Sequence, residues 1–159
     1  MPARYLPIYL NDHLAGSTFG LELARRTLRE NETGELGDFL RGLVTEIADD
    51  RETLLSLMRT LGIAPSKARV TAGWLVEKIG RAKLNGRVVT YSPLSRLVEL
   101  EGLAGGIEVK RAMWLALESI QHRDERLRSV DLPGLAERAR SQRERLEPHR
   151  LAAAATAFD

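Results

Sequence analysis

Asp50 is the residue whose type and position promise the most chemistry. It falls in register with an apolar series, Leu36, Leu40, Leu43, Ile47, Leu54, Leu57 and Leu61. Steps of four and three put that series on one stripe of a helix, the stripe that packs against other helices. A stripe of leucines carries whatever interrupts it toward the interior. A carboxylate taken inside needs a cation, a metal ion or several donors, because burying it alone is strongly unfavourable.

Other polar residues interrupt the apolar stripes at a similar level. Glu101 and Glu108 are seven residues apart, hence on one helix face two turns from each other. Glu22 and Glu46 lie toward the middles of two earlier helical patterns, while Gln142 and His149 break the stripe of the last one. Lys110 interrupts the stripe that carries Leu103, Ile107 and Trp114. Acids and an imidazole meeting from several helices would suit a hard divalent cation such as iron or manganese. The same acids met by arginines, Arg111 among them, would instead form an ion-pair network that fixes register. Spacing leaves both open and favours the network. The candidate metal ligands are therefore Glu22, Glu46, Asp50, Glu101, Glu108 and His149.

Little else points to a reaction. The chain has no cysteine, so thiolate nucleophiles and thiolate metal sites are absent. Two acids on one helix face do not make a glycosidase, which needs carboxylates across a cleft. No Ser-His-Asp set follows from spacing. Gly102, Gly105 and Gly106 lie inside a helical pattern and not after a strand, so they are not a phosphate loop. His13 reads as a packing residue, and His122 as a solvated one near a helix C-terminus.

These residues need helices to position them. Leu10, Leu14, Ser17, Leu21, Ala24 and Leu28 repeat in steps of four and three and predict a first helix over about 7–30. Gly16, Gly20 and Ala24, four apart, predict close approach of a neighbouring helix, the expected compensation for two glycines in a helix interior. Each glycine costs about 1 kcal/mol against alanine. A second helix over about 35–62 carries Asp50 and is stopped by Gly62 and Pro65. Ser92 and Pro93 open a third long helix to about 122, as N-cap and first residue. Asp131 caps a fourth, over about 131–157, which Pro148 should kink. Between the second and third lies a crossover, with Ser66 capping a short helix over about 67–84.

The expected fold is all-α, one domain over 1–159. It is a four-helix bundle, up-down-up-down, with a long central crossover that carries the extra short helix. At about 1.5 Å per residue, helices of about 25 residues span about 37 Å. Their midpoints bring the polar interruptions to one level.

Charge is uneven along the chain. The overall balance is +2, yet residues 67–96 hold seven basic residues against Glu77 alone. That segment, with Trp74 and Tyr91 as apolar anchors, would suit an anionic membrane surface or nucleic acid. A helix packed across the bundle by Trp74 and Ile79, with its charges in water, is the favoured reading. No domain-wide basic face of the kind nucleic-acid binders carry is present. No apolar run is long enough to span a membrane and no signal-peptide pattern opens the chain, so a cytoplasmic location is expected.

Helix count, long crossover and mid-bundle carboxylates together resemble the ferritin-like superfamily over most of the chain. Di-iron members of that superfamily take one Glu from each of two helices and a Glu-x-x-His from each of the other two. By position, the resemblance makes Glu22 and either Glu108 or Glu101 the single carboxylates. Glu46 with Asp49 or Asp50 would stand for one paired motif. No Glu-x-x-His occurs in this sequence, and the last helix offers Gln142 and His149 instead. What is resembled is thus a degenerate member without the usual di-iron redox route. The segment Asp12 to Gly16, Asp-His-Leu-Ala-Gly, is similar to one in a group of small helical proteins of actinobacterial type and brings no activity with it.

The expected function is that of an interaction or structural bundle without di-iron redox chemistry or cofactor, leaning away from an enzyme with that question open, and with an unknown protein partner or a second copy of itself. The alternatives are a carboxylate-rich bundle holding iron or manganese, and a peripheral membrane or nucleic-acid binder working through 67–96.

Overall fold

The computed structural model describes residues 4–66 and 90–159. They form four long helices and no strand: α1 (Leu6–Glu30), α2 (Gly34–Thr60), α3 (Pro93–Ile120) and α4 (Leu132–Phe158). The expected bounds hold to within about two residues, because most ends are set by local chemistry. Gly62 takes φ +73° after α2. Its N–H reaches the Arg59 carbonyl at 3.0 Å, and Ile63 N–H reaches Met58 at 2.8 Å, the paired bonds of a Schellman cap. Ser92 caps α3 in a reciprocal box with Ser95, and Asp131 accepts from Gly134 N–H at 3.0 Å at the start of α4. α4 continues through Pro148. The short helix expected over 67–84, and most of the basic segment 67–96, lie outside the described residues.

The apolar stripes meet in two clusters, one at each end of the helices. At one end Leu21, Ala24, Leu40, Leu43, Leu97, Leu100, Leu146 and Ala153 pack together. At the other, Leu10, Leu14, Leu54, Leu57, Met113, Trp114, Leu132 and Ala136 do so. Polar contacts repeat this order. Asn31 at the end of α1 accepts from Arg96 Nε at the start of α3 at 2.6 Å. Asn11, near the start of α1, donates to the Ala64 carbonyl beyond α2 at 3.2 Å and accepts from Ser66 N–H.

These contacts correct the expected alternation of helix directions. α1 and α4 run one way; α2 and α3 run the other. α2 ends beside the start of α1, whereas α3 begins beside its end, so the connection between them joins opposite ends of the helices. A connection of that reach returns the chain to the end where α2 began, and α3 then repeats the direction of α2. The link from α3 to α4 is short. It consists of two 3₁₀ turns, Gln121–Arg123 and Glu125–Ser129, anchored by the fully buried Leu127.

Candidate functional site

Asp50 is buried as its stripe requires, 3% exposed between α3 and α4. One oxygen, Oδ2, accepts from Lys110 Nζ at 2.5 Å and from Gln142 Nε2 at 3.2 Å. The other accepts from the Arg138 guanidinium. Lys110 also donates to Gln142 Oε1 at 2.5 Å, so acid, amine and amide close a triangle. Burial pulls the Lys110 amine below its usual range; Asp50 works against that pull, while Arg138 adds to it. The partner is not Arg111, which bonds Glu108 one turn away on the same helix at 3.0 Å.

The other candidate ligands do not gather around Asp50. Glu22 pairs with Arg25 at 2.9 Å and Glu46 with Arg145 at 2.8 Å. Glu101 lies 3.5 Å from Arg150. The His149 ring stacks on Phe39, with centroids 4.8 Å apart. Among the described residues, no group of three or more acidic or histidine side chains is arranged to hold a metal ion. Each of these acids is met by an arginine: Glu22 and Glu108 by one on the same helix, Glu46 and Glu101 by one on α4.

The buried acid that sequence reasoning missed is Glu99, 2% exposed at the end of the bundle where α1 stops. Its Oε2 accepts from the Tyr91 hydroxyl at 3.0 Å, and Arg26 Nε stands 2.9 Å from Oε1. Tyr91 in turn accepts from Asn31 at 2.8 Å. Burial raises the Glu99 carboxyl above its usual range against the opposing pull of Arg26, and pushes the Tyr91 hydroxyl up to about 12. The signal was present and overlooked: Glu99 stands four residues before Leu103, in register with the apolar stripe that Lys110 interrupts. Tyr91 is thereby tied into a polar network with Asn31 and Glu99. No helix among the described residues is long and apolar enough to cross one.

On the other side of α3 from α4 there is space. A cleft of about 480 Å³ is formed by α1, α2 and α3. Gly16 and Gly20 line it from α1, Gly105 and Gly106 from α3, and Ile47 and Leu54 from α2. Asp50, Lys110 and Trp114 also line it. A Cβ built on any of those four glycines would meet nothing within 4 Å among the described residues. Among the described residues no helix approaches these glycines, and they border a cleft. Near the start of α1, Tyr9 and His13 meet edge to face with centroids 4.4 Å apart, and burial lowers the His13 imidazole below its usual range.

Comparison with family models, curated proteins and solved structures finds no match for this chain.

Proposed function

We propose that the protein is a ferritin-like bundle that acts by binding an apolar molecule in the cleft between α1, α2 and α3, without di-iron redox chemistry. The ferritin-like part is supported by the parallel course of α2 and α3 on either side of one long connection. The non-redox part is supported by Asp50, whose two oxygens are taken by Lys110, Gln142 and Arg138. A metal would have to displace two cations to reach that carboxylate.

The cleft itself carries the reading. Its volume of about 480 Å³ falls in the range of small-molecule pockets, and its walls are glycine and aliphatic side chains with few polar groups. Four glycines with no atom of the described residues above them forgo helix stability, and a cleft that must stay open is a reason to keep them. Titration of the full chain with an apolar fluorescent probe tests this. We expect saturable binding at one site, lost in Gly20→Leu, whose side chain would occupy the cleft. Binding that survives Gly20→Leu would remove the cleft from the reading. Stoichiometric iron or manganese in chain purified without chelator would overturn the non-redox part.

A further inference from the structure

We propose that the molecule taken by the cleft is a long-chain carboxylic acid, its carboxylate held by Trp114 and Lys110 and its hydrocarbon chain lying along the glycines. The inference rests on the reading above and names the ligand class. It starts from a buried donor without an acceptor. Trp114 is fully buried, and its indole Nε1 has no hydrogen-bond partner. An indole N–H can only donate, and such groups are rarely left unpaired inside a protein.

Lys110 supplies the second donor. It precedes Trp114 by four residues on α3, so the two side chains neighbour each other on one helix face. Its ammonium has three protons, and two are used by Asp50 and Gln142. Lys110 and Trp114 both line the same cleft, one turn apart on α3.

Charge selects the acceptor. Asp50 faces two cations, Lys110 and Arg138, and the nearby Glu46 is already held by Arg145. The network thus carries one positive charge in excess, and one carboxylate would balance it. Of the other polar groups on the lining, Asp12 is exposed to water and two are engaged. Ser17 donates to the Leu14 carbonyl at 2.7 Å, and Arg51 bonds Thr18 at 3.2 Å. Shape selects the rest. Lining residues run along α3 from Gly102 to Trp114, a rise of about 18 Å at 1.5 Å per residue. An extended alkyl chain fits that course better than a compact ring system.

The test uses hexadecanoic acid and its methyl ester on the full chain, read by isothermal titration. The acid should bind one to one, and the ester about tenfold more weakly or worse, since it loses a charge-assisted bond. Trp114→Phe should weaken the acid by a similar factor and leave the ester unchanged. Gly20→Leu, which meets no atom of the described residues, should remove both while the chain stays folded by circular dichroism. Equal affinity for acid and ester would overturn the carboxylate site and leave the apolar cleft standing. Binding of neither would overturn the cleft reading as well. In that event a dimer broken by Gly20→Leu would give the cleft to a second copy, and a monomer would give it to the chain's own residues 67–89.

Discussion

The two sides of α3 solve opposite problems. Toward α4 the helix is closed: Lys110 reaches Asp50 and Gln142, Arg150 reaches Glu101, and Leu100 and Leu103 pack in the same cluster as Leu146. Toward α1 its glycines meet no atom of the described residues within 4 Å. One helix thus spends its long side chains on holding one neighbour and its small ones on leaving room beside another. A buried charge and a row of glycines both depart from an ideal bundle, but among the described residues the charge is answered and the glycines are not. The first is structural, and the second marks where something else can enter.

The sharpest way to break this contrast is at Asp50. Asp50→Ala should cost about 3–5 kcal/mol in urea denaturation, because it strands Lys110 and Gln142 without an anion. The pair Asp50→Leu with Lys110→Met should recover much of that loss, since matched apolar residues need no partner. A double variant as unstable as the single one would mean that the network does more than neutralise charge.

The open side should respond with the other sign. Gly20→Ala is expected to gain about 0.5–1 kcal/mol, read as a rise in melting temperature of a few degrees at most. A loss would show that a neighbour packs there after all.

A smaller effect comes from Glu99. Its folded pKa lies above the ordinary value of 4.5, so the folded state holds the proton more tightly than the unfolded chain. Its contribution is present in full below that ordinary value and is lost as pH rises through the folded value. Glu99→Gln should flatten this part of the stability profile. Glu147 has the opposite sign. Held by Arg150 and Arg143 down to about 2, it loses its contribution as pH falls from the ordinary 4.5 toward that value. The smallest change is Arg25→Ala, which removes an exposed pair with Glu22 and should shift stability by less than about 0.5 kcal/mol.

Helix ends were legible because their causes are local. Ser92 with Ser95, Asp131 with Gly134, and Gly62 each sit within a few residues of the groups they satisfy. Asp50 was legible as a buried acid, since seven leucines and isoleucines fix its face. Its partners were not, because Lys110 and Arg138 belong to other helices and only their packing chooses between them and Arg111. Helix direction was misread for a related reason: alternation follows from short links, and the second link is long. The glycines were visible as an anomaly, but their spacing does not distinguish a tight contact from an empty one. Only what stands opposite them decides, and among the described residues nothing lies within 4 Å.

The long connection has one more consequence. It divides the molecule into two helical hairpins, α1 with α2 and α3 with α4, each made of helices adjacent in sequence. Nearly all short-range order is complete within a half, and joining the halves is the slow, entropically costly step of folding. A chain severed between Ser66 and Thr90 would keep both hairpins whole. The two fragments, expressed apart, should reassemble by the same apolar faces that the intact molecule uses.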